Sequence, residues 1–353
     1  MKWIILITSI GVLLTIVFFL YFRIPRHEPQ TPTEIITPLE ETVGQRFIWG
    51  VTGTTISSES AHIISDTHAG GVILMGELTN TDIASLTAQI QTIPHTLPFI
   101  IAIDQEGGTV KRMIDDDNPG GIVLGKYDDN KFCNTIASTS AKLANVGINT
   151  NFGIIGDIGW YPNAYITNRT YGNTLISVLQ KTSFAIQCSK PIRTTIKHFP
   201  GHGRTLLNSH LTIPSIQTPY DEWFTSDAQP FLDAISKGID FIMFGHLRYA
   251  TIATEPASLS PFFHAFVKNQ GFTGLTVTDD MGMLERSRIN PIETMKQAFD
   301  AGNDIILYVT SKESPYDLYQ EALLYATSSS EIYSSFQEHY NHIKQFKELK
   351  LTN

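Results

Sequence analysis

The sequence predicts an α/β protein with the architecture of a TIM-type (β/α)8 barrel, and three observations support this prediction. From Gln45 onward, short apolar runs of strand length alternate with amphipathic segments of helix length. There are eight such runs, which is the strand number of this barrel. Four of the runs end in an ionisable residue, and the carboxyl ends of barrel strands meet on one rim, where barrel enzymes carry out their chemistry.

Length and composition are those of a globular enzyme. The chain has 353 residues, enough for one large barrel or two ordinary domains, and 42% of them are hydrophobic. Its net charge of −9 argues against a nucleic-acid partner, whose phosphates need a basic surface. No GxGxxG, P-loop or GxSxG motif occurs to support another α/β architecture. We expect a monomer without a cofactor.

The amino-terminal segment predicts a membrane anchor. Trp3–Phe22 is an unbroken run of uncharged, mostly apolar residues, and at about 1.5 Å per residue it can span a hydrocarbon core. A cleaved signal peptide is the alternative, but its apolar core is shorter, and no small-x-small site precedes Arg23. We predict an uncleaved single-pass anchor at residues 1–23, whose flanking charges do not decide its orientation. The polar, proline-spaced residues 24–43 predict an extended linker.

The remaining residues, 44–353, predict one catalytic domain. The predicted barrel strands are Phe47–Val51, Val72–Met75, Phe99–Ile103, Asn149–Ile155, Arg193–Ile196, Phe241–Phe244, Leu275–Val277 and Ile305–Val309. The predicted helices between them include Asp82–Ile93, Phe132–Val146, Asn173–Ser189, Ser226–Ser236 and Pro291–Ala301. An amphipathic helix after Ser329 is expected to cap the barrel, with Glu338, His339 and His342 on a solvated face rather than in a metal site.

Ionisable residues follow four of the predicted strands. Asp104 follows the third run, Lys197 and His198 the fifth, His246 the sixth, and Asp279 the seventh. Chance accounts for one or two such endings more readily than for four. We therefore predict that these side chains lie together at the carboxyl-terminal rim.

The stretch from Lys197 to His210 has the composition of a catalytic loop. It contains three histidines and a lysine in a segment rich in glycine and proline, directly after a strand. A zinc site is the alternative interpretation, because imidazole is a common zinc ligand. No cysteine lies in this stretch, and Lys197 would repel a cation, so we expect no metal.

The two cysteines leave the redox compartment open. Cys133 and Cys188 both lie in helix-like stretches and share no short metal-binding or redox spacing. Two buried thiols are the simplest interpretation, and a disulfide is the alternative.

The loop resembles the KHFPGHG…DSH signature of glycoside hydrolase family 3, in the NagZ-like branch of β-N-acetylhexosaminidases. Four further stretches resemble motifs of this family, in the family's order. Asp104–Arg112 is similar to DQEGGxVxR, Ile166–Gly172 to IxxRSFG, Met243–His246 to MxxH, and Thr278–Met283 to (S/T)DDxxM. Together the motifs extend over residues 45–310, most of the predicted catalytic domain.

The resemblance implies a retaining exo-β-N-acetylhexosaminidase that removes terminal N-acetylglucosamine from peptidoglycan-derived or related glycans. Such hydrolysis needs a carboxylate nucleophile and a group that acts first as acid and then as base. The resemblance assigns these roles to Asp279 and His210, and imidazole suits both steps because its pKa lies near neutrality. Glu106 is an alternative acid, although support of Arg112 or of the turn at Gly107 is its favoured role.

The resemblance also implies the residues that bind the terminal sugar. Asp104 is expected to accept hydrogen bonds from sugar hydroxyls, and four basic side chains are expected to donate them: Arg112, Arg169, Lys197 and His198. His246 is expected to line the pocket rim, and Asp280 to provide hydrogen bonds around the nucleophile. The cell-wall glycan that such an enzyme cleaves lies outside the membrane, so the catalytic domain is expected to be extracytoplasmic.

Asn208 departs from the family's pattern. The family has an aspartate at this position, which holds the tautomer of the catalytic histidine and raises its basicity. Asn208 can accept a hydrogen bond from His210 but adds no charge, so catalysis should be weaker by about tenfold to 10⁴-fold. A glycan-binding relative with negligible turnover is therefore the alternative function. A family member with another sugar or acceptor specificity is a further one.

Overall fold

The computed structural model describes residues 38–287 and 289–352. Within them, eight parallel strands form one sheet that curls into a barrel. The strands are β1 (Phe47–Thr52), β2 (Gly71–Met75), β3 (Ile100–Ile103), β4 (Thr150–Ile155), β5 (Arg193–Phe199), β6 (Phe241–Phe244), β7 (Leu275–Thr278) and β8 (Ile306–Tyr308). Their order in the sheet is β8-β1-β2-β3-β4-β5-β6-β7, and a parallel bridge between Val277 and Ile305 joins the two edges. The predicted TIM-type (β/α)8 barrel is confirmed.

Helices surround the barrel, and each predicted helix is present with its ends at the predicted residues or within a few residues of them. The helices are α1 (Leu39–Gly44), α2 (Ser58–Asp66), α3 (Asn80–Gln91), α4 (Gly121–Leu124), α5 (Asp129–Asn145), α6 (Leu175–Cys188), α7 (Tyr220–Thr225), α8 (Gln229–Ser236), α9 (Pro261–Asn269), α10 (Gly282–Arg286), α11 (Pro291–Ala301), α12 (Pro315–Ala326) and α13 (Ser330–Lys350). A short pair of strands, Ser215–Ile216 and Arg248–Tyr249, and a 3-10 turn, Ala257–Leu259, lie outside the barrel.

Local sequence signals explain where several helices begin and end. Thr79 Oγ1 accepts the Asp82 N–H at 3.2 Å, and Asp82 Oδ2 accepts the Thr79 N–H at 2.9 Å, which forms a capping box at the start of α3. Asn290 Oδ1 accepts the N–H groups at the start of α11. Gly302 ends α11 with φ of 104°, a conformation that glycine adopts without a steric penalty.

Alternate residues of the strands face two different cores. In β1, Ile48 belongs to the cluster inside the barrel, whereas Phe47 belongs to the layer between the strands and the helices. Ile343 and Phe346 of α13 join the inner cluster, and the Phe346 ring lies 5.0 Å from the ring of Phe241 at the start of β6. Helix α13 therefore closes the amino-terminal end of the barrel, and the carboxyl-terminal rim is left for chemistry.

The predicted domain boundary needs a correction. The predicted anchor at residues 1–23 lies outside the described residues, as does most of the predicted linker. The end of that linker is helical instead: in α1, Val43 is fully buried, and Tyr319 Oη donates to the Glu40 carbonyl at 3.1 Å. The folded domain therefore begins before residue 44. Among residues 38–287 and 289–352, no helix is long and apolar enough to cross a membrane.

The histidines of α13 bind a buried carboxylate, and we name this group the His–Asp–His cluster (His339, Asp304 and His342). Asp304 Oδ1 accepts hydrogen bonds from His339 Nδ1 at 2.8 Å and His342 Nδ1 at 3.0 Å, while its Oδ2 accepts the Thr276 N–H at 2.8 Å. Burial acts to raise the pKa of Asp304, but hydrogen bonds and charge from the two histidines lower it well below its usual range. The predicted solvated face is therefore wrong for His339, whereas Glu338 is exposed and His342 is partly exposed.

A disulfide joins α5 to the end of α6. Cys133 and Cys188 are bonded, with their Cα atoms 5.5 Å apart, within the range that disulfide geometry requires. The interpretation of the two cysteines as buried thiols is therefore wrong. Sequence spacing missed the pair because the two residues are brought together only by the packing of these helices.

Candidate active site

Side chains that follow four strands meet at the carboxyl-terminal rim. Lys197 Nζ lies 2.8 Å from Asp104 Oδ1, which links the ends of β5 and β3. His246 Nε2 lies 2.9 Å from the Asp280 carbonyl, which links the ends of β6 and β7. The positions of these four predicted strand ends therefore agree with the sequence analysis.

An ion-pair network around Glu106 forms the base of the site. The guanidinium of Arg169 donates to both carboxylate oxygens of Glu106, at 2.8 and 2.7 Å, and Lys197 Nζ lies 2.7 Å from Glu106 Oε1. Burial acts to raise the pKa of Glu106, but the two cations lower it to about 2. Glu106 therefore stays ionised and is poorly suited to donate a proton. It supports Arg169 and Lys197, where the sequence analysis expected Arg112 or the glycine turn.

Asp157 is a site residue that the sequence analysis did not assign. It is fully buried after β4, and His198 Nδ1 lies 2.7 Å from its Oδ2. On the other side of the ring, Arg169 Nη2 lies 3.2 Å from His198 Nε2. Arginine can only donate, so Nε2 accepts and Nδ1–H donates to Asp157. His198 therefore has no N–H left for a sugar hydroxyl, and its predicted donor role is wrong. The sequence signal that could have identified Asp157 is its position, because it is a fifth ionisable residue shortly after a predicted strand.

Two adjacent aspartates after β7 have different environments. Asp279 Oδ1 accepts the Asp280 N–H at 2.8 Å. Burial acts to raise the pKa of Asp279, but the imidazoles of His198 and His246 beside it, the hydrogen bond from the Asp280 N–H and the charge of Lys197 lower it well below its usual range. Burial raises the pKa of Asp280 to about 6, although its Oδ1 accepts the N–H of Val309 at 2.9 Å. Asp279 is thus the more acidic member of the pair, and Asp280 holds the surrounding backbone.

His246 is buried against the Asp280 carbonyl rather than exposed at the edge of the site. It is 1% exposed, its Nδ1 lies 2.7 Å from Ser258 Oγ, and its Nε2 lies 2.9 Å from the Asp280 carbonyl. A carbonyl can only accept, so Nε2 carries the proton and Nδ1 accepts from the serine hydroxyl. His246 therefore lies at the carboxyl-terminal end of the barrel, as predicted, but it does not line the exposed edge of the site, because both ring nitrogens are engaged by protein groups. His246 positions Asp280 and the chain around Asp279.

The loop that carries His210 has an arrangement that the sequence did not predict. Asn208 Oδ1 accepts a hydrogen bond from the backbone N–H of His210 at 2.9 Å, so it shapes the loop and does not contact the imidazole. Arg286 Nη1 donates to the His210 carbonyl at 3.1 Å. Among the described residues, the His210 ring has no hydrogen-bond partner, and burial lowers its pKa. Asp279 is close enough to act in the opposite direction on that pKa.

Asp104 and Arg112 form the more open side of the site. Their side chains are 18% and 25% exposed, and Arg112 Nη2 lies 3.7 Å from Asp104 Oδ2. This long contact leaves both groups with hydrogen-bonding capacity for a ligand. Asp104 and Arg112 are thus predicted sugar-binding residues with partly exposed groups, and Lys197 contacts Asp104 from a buried position.

The three histidines do not converge as ligands of one metal ion. The ring nitrogens of His198 face Asp157 and Arg169, and His202 Nε2 lies 3.0 Å from Ser209 Oγ. Burial lowers the pKa of His202 to about 4, so this ring is neutral. Within residues 38–287 and 289–352, no group of three or more histidine, cysteine or acidic side chains has the arrangement of a metal site.

The fold and the site together define an enzyme class. A barrel rim with a carboxylate of lowered pKa at Asp279, and an imidazole at His210 without a hydrogen-bond partner among the described residues, has groups of the two kinds that glycoside hydrolysis uses, and the chain is a glycoside hydrolase. The family model described as the glycosyl hydrolase family 3 N terminal domain matches residues 38–345. The chain therefore belongs to glycosyl hydrolase family 3.

Named relatives agree with this assignment. The β-hexosaminidase of Vibrio cholerae serotype O1 is 30% identical over 282 residues, which cover 76% of this chain and 83% of that protein. A family 3 β-N-acetylglucosaminidase from Paenibacillus sp. str. FPU-7 superposes with a TM-score of 0.82 at 28% identity, and the match covers 89% of this chain but only 63% of that one. A β-N-acetylhexosaminidase from Beutenbergia cavernae has the same fold, with a TM-score of 0.82 at 24% identity over 88% of this chain and 99% of that one.

Proposed function

We propose that this protein is a retaining exo-β-N-acetylhexosaminidase that removes terminal N-acetylglucosamine from peptidoglycan-derived or related glycans. The observation that carries the proposal is the pairing of Asp279, which stays ionised although buried, with the half-buried imidazole of His210 nearby. The names of the β-hexosaminidase and β-N-acetylglucosaminidase relatives support the choice of sugar.

In the first step, Asp279 attacks the anomeric carbon while His210 donates a proton to the glycosidic oxygen. The bond to the leaving group breaks, and a covalent glycosyl ester forms on Asp279. The Asp280 N–H engages Asp279 Oδ1, so Oδ2 is the oxygen available for attack. The low pKa of Asp279 keeps this oxygen unprotonated throughout the working pH range.

In the second step, neutral His210 takes a proton from water, and the water oxygen attacks the anomeric carbon. The ester bond to Asp279 breaks, which restores the carboxylate and retains the anomeric configuration. Asp104, Arg112 and Lys197 are proposed to hold the hydroxyls of the terminal sugar. The Glu106–Arg169 ion pair holds Lys197 in position, because Glu106 also contacts Lys197 Nζ.

The full chain, solubilised in detergent, should release 4-nitrophenol from 4-nitrophenyl N-acetyl-β-glucosaminide. NMR of the first-formed sugar should show the β anomer, because two displacements restore the starting configuration. The α anomer would contradict the covalent mechanism. Cleavage of the corresponding glucoside but not the N-acetyl compound would favour a family member with another specificity.

A second candidate function is a glycan-binding protein with negligible turnover. The observation that favours it is the absence of a carboxylate partner for the His210 ring among the described residues, since Asn208 contacts only the backbone N–H. Calorimetry with N-acetylglucosamine separates the candidates. Binding without turnover of the aryl glycoside would establish the second function and exclude the first.

Replacing Asn208 with aspartate should increase kcat by about tenfold, because a carboxylate near His210 stabilises the imidazolium and makes the ring a stronger base. The pKa of His210, which burial now lowers, should rise, and the limb of the pH–rate profile that reports it should move to higher pH. Both proteins are measured on one aryl glycoside from pH 5 to 9.

Asn208→Ala is the matched control for this change. It removes the hydrogen bond to the His210 N–H without adding charge, so kcat should fall as the loop loses its turn. An unchanged or lower kcat for Asn208→Asp would mean that the loop is adapted to asparagine.

We also propose that the protein is held in a membrane by residues 1–23, with the barrel on the outer side. The disulfide between Cys133 and Cys188 supports an oxidising location, because thiols stay reduced in most cytosolic proteins. Protease added to intact cells should digest the barrel domain. A domain that resists digestion until the cells are lysed would place it on the inner side.

A further inference from the structure

We propose that Tyr165 forms the binding subsite for the leaving-group sugar, as a platform on which the apolar face of a pyranose ring stacks. The inference rests on the proposed function, and it adds the chemical class of the leaving group that this site selects. Nothing in the motif pattern assigns a role to Tyr165, which stands just before the Ile166–Gly172 motif.

The position of Tyr165 is the first observation. Its ring lies edge-to-face with the His210 ring at 5.7 Å between centroids, and the Arg169 guanidinium lies 5.9 Å from the Tyr165 centroid. Tyr165 therefore lies between His210, the proposed acid/base, and Arg169 of the ion-pair network. It remains 39% exposed, although aromatic rings in a protein interior are normally covered.

The chemistry of the reaction determines what must contact this ring. His210 protonates the oxygen that joins the terminal sugar to its leaving group, so the leaving group lies beside His210 throughout the first step. The terminal sugar occupies the polar groups around Asp104 and Lys197. The exposed surface next to His210 is therefore left for the leaving group, and Tyr165 is the aromatic part of that surface.

The surface suits a sugar ring rather than a charged group. A pyranose presents C–H groups on one face, and an aromatic ring provides a flat apolar surface with low conformational entropy. The Tyr165 hydroxyl has no hydrogen-bond partner among the described residues, so it can bind a sugar hydroxyl at the edge of the ring. The loop that carries His210 also exposes Leu206 and Leu207, at 62% and 52%, so further apolar side chains are exposed on the same loop as the acid/base.

The test compares two substrates of the full chain in detergent. N,N′-diacetylchitobiose has a pyranose leaving group, whereas N-acetyl-β-glucosaminyl fluoride has none. Tyr165→Ala should lower kcat/KM for the disaccharide by about tenfold, the upper end of what one aromatic contact contributes, and leave kcat/KM for the fluoride unchanged. Tyr165→Phe should keep most of the disaccharide activity, because it keeps the ring.

The matched control is Tyr161→Ala, which removes another exposed tyrosine from the same segment, 44% exposed and without a ring contact to His210. It should leave both substrates unaffected. Equal losses on both substrates for Tyr165→Ala would show that the ring only positions His210, and no loss on either would show that the leaving group binds elsewhere; both overturn the subsite. Wild-type protein that cleaves neither substrate would overturn the proposed function itself.

Two natural glycans share this leaving-group chemistry, and a second disaccharide separates them. N-acetylglucosaminyl-β-1,4-N-acetylmuramic acid carries a lactyl carboxylate that chitobiose lacks. The Tyr165→Ala loss should be similar on both disaccharides, because stacking depends on the ring face. The wild-type ratio of kcat/KM between them then identifies the preferred source, and a loss confined to the muramyl compound would overturn stacking as the mode of binding.

Discussion

Asp279→Ala should reduce turnover by on the order of 10⁵-fold, because removal of a nucleophile leaves only binding and orientation to accelerate the reaction. A 2-fluoro or 5-fluoro glycosyl inactivator should form a stable ester on Asp279, which peptide mass spectrometry locates. Added azide should partly restore turnover of the alanine variant and yield an α-glycosyl azide, since azide then attacks in place of the carboxylate.

Asp280→Asn is the matched control for this prediction. Asp280 Oδ1 accepts backbone N–H groups of Val309 and Gly282, and an amide oxygen can accept the same hydrogen bonds. The loss of activity should therefore be far smaller than for Asp279→Ala. Labelling of Asp280 or Glu106 by the inactivator would show that the nucleophile has been assigned to the wrong carboxylate.

His210→Ala should have the second largest effect, and its size should depend on the leaving group. For an unactivated disaccharide, loss of the general acid and base should lower kcat by about 10² to 10⁴-fold. For a 2,4-dinitrophenyl glycoside, which leaves without a proton, the first step should survive and the second should limit the rate. A burst of phenolate followed by slow steady turnover is the expected time course.

The limb of the pH–rate profile that reports His210 should also disappear in this variant. Burial lowers the pKa of the ring, so in the wild type the proton-donating form is lost at a lower pH than for a free histidine. His202→Ala is the comparison variant. His202 is a poor candidate for the acid/base, because its ring is buried beside Ser209. Equal rate losses on both substrates would contradict the acid/base role of His210.

The barrel could be predicted from sequence because its signals are local. Each strand is a short apolar run, and the functional side chains directly follow the runs, as Asp104 and Asp279 do. The structure keeps every one of those strands, with ends shifted by a few residues. Chain order alone was therefore sufficient to place these residues on one rim.

The corrections concern contacts that chain order does not determine. His246 was expected at the rim because it follows a strand, yet the orientation of its ring is set by Ser258 and the Asp280 carbonyl. The side-chain carbonyl of Asn208 accepts the backbone N–H of His210 rather than its imidazole N–H. Chain order does not decide between these two donors. Asp157 was missed as a partner of His198 because Asp157 follows β4 whereas His198 lies in β5, 41 residues further along the chain.

The His–Asp–His cluster lies at the end of the barrel opposite to the active site. It makes the packing of α13 against the barrel depend on pH. Asp304 has a lowered pKa, so its contribution to the free energy of unfolding is present above the ordinary aspartate value, about 3.9, and is lost as the pH falls. The hydrogen bond to Asp304 raises the pKa of His342, so that contribution is present below the ordinary histidine value, about 6.5, and is lost as the pH rises through the folded pKa. Both contributions are present together in mildly acidic solution, where His339 opposes them in part, because burial lowers its pKa and protonation of that ring then costs stability. The pH at which α13 closes the barrel most firmly is therefore set by groups that never contact the substrate. It is independent of the pH at which the active site works best.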